Sequence, residues 1–131
     1  MSITVDSGRQ DLLVADVDFT YADFTSGSPA AAIEVPAGAV VVGGFIVIDT
    51  AFDSATSDTI IVGDGGDDNR YANAVNGASA ALTALTITGY EYTETDNIDI
   101  QWTGVGAAPS AGAGRLVVHY YVDGRAAQNQ G

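Results

Sequence analysis

Short apolar runs alternate with turn residues along this chain, and within several runs apolar and polar side chains alternate one by one. That period of two marks a strand with one buried face. Val17, Phe19 and Tyr21 interleave with Asp16, Asp18 and Thr20; Ile98, Ile100 and Trp102 interleave with Asp99 and Gln101. Further strands are predicted at 32–35, at 40–42 leading into 45–52, and at 59–62, 85–93 and 116–122. In the 85–93 segment Thr86, Thr88, Tyr90 and Tyr92 share one face. Turn chemistry separates the runs: Ser26-Gly27-Ser28-Pro29, Pro36-Ala37-Gly38, the polar stretch 53–58, the tip 63–69 and a long Gly/Ala/Pro/Ser loop at 104–114. Gly43 and Gly44 interrupt an apolar run, which predicts a bulge or a close backbone approach. Residues 70–84 stay ambiguous: their alanines suit one helical turn, while Asn73, Asn76 and Gly77 suit a loop. No segment has a helical period and no internal repeat is visible. About eight short antiparallel strands at this spacing predict an all-β, single-domain β-sandwich, with a barrel as the other closed solution. Residues 1–13 read as an N-terminal arm or edge strand, 14–125 as the sandwich and 126–131 as a polar tail.

Composition adds mainly exclusions. A chain of 131 residues buries roughly two-thirds of its unfolded surface, so a core needs no covalent staples. Hydrophobic residues make up 47% and mean hydropathy is +0.17, which argues for a folded domain despite a net charge of −13. That charge comes from 17 acidic residues against four arginines, with no lysine. It argues against nucleic acid as a direct partner, because phosphate binding runs on cationic side chains. It also exceeds the magnitude of about 2–8 suited to a small domain, so any assembly must rest on apolar or hydrogen-bonding contacts. The absence of cysteine excludes disulfides, thiolate ligands and a cysteine nucleophile. The absence of lysine excludes a Schiff base. No run approaches the roughly 18 apolar residues of a spanning helix, and Met1-Ser2-Ile3-Thr4-Val5-Asp6 lacks the charged and apolar regions of a secretory signal. Synthesis and folding in a cytoplasm, with no membrane partner, are expected.

Few residues invite chemistry. His119 is the single histidine and falls mid-strand with Val117 and Tyr121 on its face; no nucleophile motif accompanies it, so a packed histidine is the expected reading. The tip Asp64-Gly65-Gly66-Asp67-Asp68-Asn69 is oxygen-rich, as a hard cation prefers. Its spacing fails the EF-hand pattern, with Val75 at the bidentate position, so a solvated hairpin tip is expected. Glu91 and Asp99 are a weak candidate carboxylate pair, since 14 Asp and 3 Glu make chance proximity common. Tyr90 with Tyr92, or Tyr121 with Trp102, are candidate sugar-stacking platforms, against core or interface packing. The arginines carry the more pointed expectation: Arg9, Arg115 and Arg125 are candidate subunit contacts through bidentate carboxylate bonds.

Three phrases carry a resemblance. They are Val35-Pro36-Ala37-Gly38-Ala39-Val40-Val41-Val42-Gly43-Gly44; residues 50–58 running into Val62-Gly63-Asp64 and Asn69-Arg70-Tyr71; and residues 111–125, from Ala111-Gly112-Ala113-Gly114-Arg115 to Val122-Asp123-Gly124-Arg125. In this order they resemble the capsid decoration, or cement, proteins of tailed bacteriophages, over roughly residues 35–125. The resemblance implies a β-sandwich of jelly-roll-like form, a homotrimer, and a place on the outer capsid surface where it clamps subunits of the major capsid protein. It implies no enzyme activity and no cofactor. An arm at 1–13, or the tail at 126–131, would grip the shell. A phage tail or baseplate β-module and a carbohydrate-binding β-sandwich are the alternatives.

Overall fold

The computed structural model describes Ile3 and residues 11–123. The expected arm, apart from Ile3 and 11–13, and the expected tail lie outside the described residues, as do Arg9 and Arg125. The described chain is all-β. Its strands are β1 (Leu13–Thr20), β2 (Ser28–Val35), β3 (Ala39–Thr50), β4 (Ser57–Gly63), β5 (Ala72–Asn76), β6 (Leu82–Ala84), β7 (Asp96–Val105) and β8 (Ala113–Val122), with one 3-10 turn at Tyr21–Asp23.

The strands form two four-stranded sheets, ordered β1-β8-β3-β6 and β2-β7-β4-β5. Each strand pairs with its counterpart counted from the other end: β1 with β8, β2 with β7, β3 with β6 and β4 with β5, all antiparallel. A long hairpin rolled onto itself gives this pattern, and β3–β8 and β4–β7 pairing completes each sheet. This is the jelly-roll strand order. The predicted β-sandwich is therefore present in its jelly-roll form.

Alternation along the strands places the core. Phe19 on β1, Ile46 and Ile48 on β3, Ile60 and Val62 on β4, Ile98, Ile100 and Trp102 on β7, and Leu116 and Val118 on β8 are buried between the sheets. Phe52 stacks on Trp102 at 6.1 Å, and Phe24 meets Phe19 edge-on at 5.5 Å. The Trp102 indole N–H donates to the buried Asp58 carboxylate at 2.9 Å, which satisfies both polar groups inside an apolar layer. The Gly43–Gly44 bulge is present, as a register shift between Val41 and Gly43 against β8.

Several expectations need correction. Tyr21 does not continue β1. The Thr20 amide instead donates to the Asp23 carboxylate at 2.8 Å, and this bond opens the 3-10 turn. Pro29 lies within β2 rather than in a loop, a position its missing N–H permits because β2 is an edge strand. The ambiguous 70–84 region holds β5 and β6, with no helix. Residues 85–93 form no strand. Leu85 and Tyr92 are buried, but Thr86, Thr88 and Tyr90 are exposed, and Gly89 at φ 74° turns the chain between them.

That irregular segment ties one flank of the sandwich together. The Thr86 amide donates to the Tyr71 carbonyl at 2.8 Å, joining the two sheets, while the Leu85 amide reaches the Gly44 carbonyl at 3.1 Å. The Phe52 amide similarly bonds Gly77 at 2.9 Å. The opposite flank, between edge strands β1 and β2, has no such backbone bond among the described residues.

Candidate functional site: a buried acid–arginine node and two exposed surfaces

The most elaborate polar construction lies at the β4–β5 tip. Asp64 follows directly on β4, and its side chain turns back into the fold with 1% exposure. One carboxylate oxygen accepts the amides of Gly66 at 3.0 Å and Asp67 at 2.9 Å, which folds the tip around it. Arg70 closes the turn with a two-nitrogen contact to the same carboxylate. The Tyr92 hydroxyl donates to it at 2.7 Å. Since Tyr92 has only one proton, the Tyr71 hydroxyl must donate to Tyr92, at 2.8 Å. The Arg70 guanidinium also covers the Tyr90 ring at 3.7 Å, and Tyr90 meets Tyr92 edge-on at 5.0 Å.

The electrostatics follow from this packing. Burial pushes the Asp64 carboxyl up, but the bonds from Arg70, Tyr92 and the Gly66 and Asp67 amides outweigh it, so its pKa lies below the ordinary 3.8. Tyr92 is driven far up by burial first, then by its bonds to Tyr71 and Asp64. Neither group is poised for proton transfer near neutrality. Asp99, on β7, is raised by burial and then by the Asp96 and Asp64 carboxylates.

The tip is the expected solvated hairpin from Gly65 to Asn69, but Asp64 at its base is buried. The Asp64 oxygens are consumed by internal donors, and they make the base of this tip a lock to the 85–93 segment. The tyrosine platform fails: Tyr92 is 2% exposed and Tyr90 is capped by Arg70. Trp102 is core and Tyr121 stands on the other sheet, so that pair does not form either. Glu91 bridges Val40 of the first sheet while Asp99 belongs to the second, and the carboxylates that act on Asp99 are those of Asp96 and Asp64. His119 stands between Val14 and Gly43 on the outer face of the first sheet, with no nucleophilic side chain opposite.

Arg115 projects from β8 onto that same outer face and meets Asp49 at 3.3 Å, both about half exposed. Such a pair is screened and weak, so Arg115→Ala is expected to change unfolding free energy by no more than about 1 kcal/mol in urea denaturation. Arg115 stands opposite Asp18 of β1, with Asp16 beside it; the rest of the face is largely apolar. Val14, Val42 and Leu82 are 62%, 44% and 58% exposed, and Phe45, Val47 and Val117 stand among them. The second surface is the open flank between β1 and β2. Neither surface was evident from the sequence, because strand order alone decides which alternate residues meet.

No protein-family model matches the sequence, and a search of curated proteins finds no match. Solved structures do match the fold. A chain of the cyanophage Pam1 capsid asymmetric unit superposes with a TM-score of 0.70 and 21% identity, covering 93% of this chain and 92% of that one. A chain of the acidic stable capsid of Helicobacter pylori bacteriophage KHP30 gives 0.65 and 20%, over 85% and 87%. A chain of the Ralstonia phage GP4 capsid gives 0.62 and 17%, over 93% and 90%.

Proposed function

We propose that this chain is a structural protein of a phage head, which decorates the outer surface and bridges subunits of the major capsid protein. The observation that carries this reading is the near end-to-end likeness of its jelly roll to chains of three phage capsids. The rest of the molecule is compatible with it. The polar node is spent on holding loops together, and the negative charge suits a surface turned away from packaged DNA. The reading includes a homotrimer, for which the exposed Val14, Val42 and Leu82 offer the apolar contact that a charge of −13 otherwise opposes.

The test is a virion preparation with and without the protein. Cryo-EM density for the jelly roll on the outer shell is expected, and heads lacking it should release DNA at lower temperature. Recovery of the protein only in tail fractions, or unchanged head stability on its removal, would sink the proposal. Light scattering at micromolar concentration is expected to report three times the monomer mass; a monomer removes the trimer from the reading.

A further inference from the structure

We infer that the open flank between β1 and β2 is a docking cleft for an extended, basic segment of a partner protein. The cleft has a volume of about 320 Å³ and is lined chiefly by Val17, Phe19, Phe24, Ala30, Ala32 and Ile100. Two features keep it open. The alanines of β2 are too small to fill the gap, and the register shift between Ala31 and Ile33 puts a bulge in the pairing with β7 beside it. The other flank is sewn shut by backbone bonds, so openness here is particular to this side.

The occupant's chemistry follows from what borders the cleft. Both β1 and β2 are edge strands, and an edge offers unpaired backbone groups to an added strand. In such a strand alternate side chains point to opposite sides, so one set can enter the apolar gap while the other stays at the rim. The rim is acidic: Asp18 and Asp23 line the cleft, and Asp16 stands two residues before Asp18 on the exposed side of β1. None of the three forms an ion pair with another described residue. Charge complementarity therefore selects arginine or lysine at the rim positions, and it disfavours a second copy of this acidic chain. Identifying the partner with the capsid shell rests on the function proposed above; the cleft and its preference do not.

The test is titration of the full-length protein with a capped peptide of alternating arginine and valine, followed by amide chemical shifts. Shifts concentrated on β1 and β2 at low salt, fading as salt rises, are expected. Ala30→Leu, which fills the cleft, should weaken binding at least about tenfold, the worth of one buried valine. Asp16→Asn with Asp18→Asn should weaken it without altering the core. Equal binding of a glutamate–valine peptide, shifts confined to β3 and β6, or no binding at all would overturn the inference. So would a cleft shielded from a soluble gadolinium chelate in the free protein, because the chain's own residues would then occupy it. Virion fractionation reads the capsid assignment separately, so either idea can fail alone.

Discussion

Asp64→Asn is expected to lower unfolding free energy by about 3–5 kcal/mol at neutral pH, the usual cost of breaking a buried ion pair from one side. That is a large share of the roughly 5–15 kcal/mol that holds a domain folded. The asparagine fits the space but not the chemistry. Arg70, Tyr92 and the Gly66 and Asp67 amides all donate to this carboxylate. An amide side chain has one acceptor oxygen and adds donors of its own, so Arg70 keeps a charge without a counter-charge and at least one buried donor goes unmet. Urea denaturation at several pH values checks the assignment. The Asp64 pKa is depressed in the folded state, so its contribution is complete above 3.8 and is lost as pH falls through the folded value. The gap between wild type and Asp64→Asn should therefore narrow in acid. Asp99 acts in the opposite sense. Its raised pKa gives stability that is present below 3.8 and lost as pH rises through the folded value. A gap between the two proteins that stays constant into strong acid would count against the ionic role of Asp64.

Gly44→Ala is expected to be nearly as costly, at about 3 kcal/mol, or roughly 10 °C in melting temperature. Gly44 sits at φ 133°, and a Cβ there would lie 2.1 Å from the Val117 carbonyl oxygen and 3.0 Å from the Val118 Cα. Both obstacles are backbone of the central strand β8, which cannot move without breaking its pairing to β1. Gly43→Ala is the control. Its Cβ would meet the His119 ring at 3.5 Å, an ordinary contact, so a change within about 1 kcal/mol is expected by calorimetry. Equal losses at the two glycines would mean that the bulge geometry is not what matters.

The strands legible in the sequence are those with a two-residue repeat or a run of β-branched apolar residues, the latter marking β3, β4 and β8. β1 and β7 pack one face on the core, and their alternation survives in the burial of Phe19, Ile98 and Ile100. β5 was missed because Ala72, Asn73 and Asn76 have little preference for strands; pairing with β4 imposes the conformation, even placing Ala74 at φ 57°. The 85–93 segment was misread for the reverse reason. Its β-branched and aromatic residues favour a strand, yet the chain crosses from one sheet towards the other and bonds piecemeal to Tyr71, Gly44 and Ala39. The Asp64 node joins residues 28 positions apart. Its sequence trace is slight: an aspartate ending an apolar strand, and a lone arginine closing an acidic tip. Jelly-roll winding brings Tyr92 to them, and no local pattern encodes that.

The position of β8 between β1 and β3 also constrains synthesis. β1 and β3 are made early and share no partner until β8 has left the ribosome, since Leu13 pairs with Tyr120 and Ala39 with Val122. During that interval the sheet that carries Phe19, Ile46 and Ile48 lacks its central strand, although every strand of the facing sheet has already been made. The sheet that closes last must form from contacts distant in sequence, the slow class of folding step. A nascent chain with unpaired apolar strands is prone to stick to its neighbours. Dense acid on the exposed side of β1, at Asp16 and Asp18, gives the waiting strand a repulsive edge while it lacks its partner.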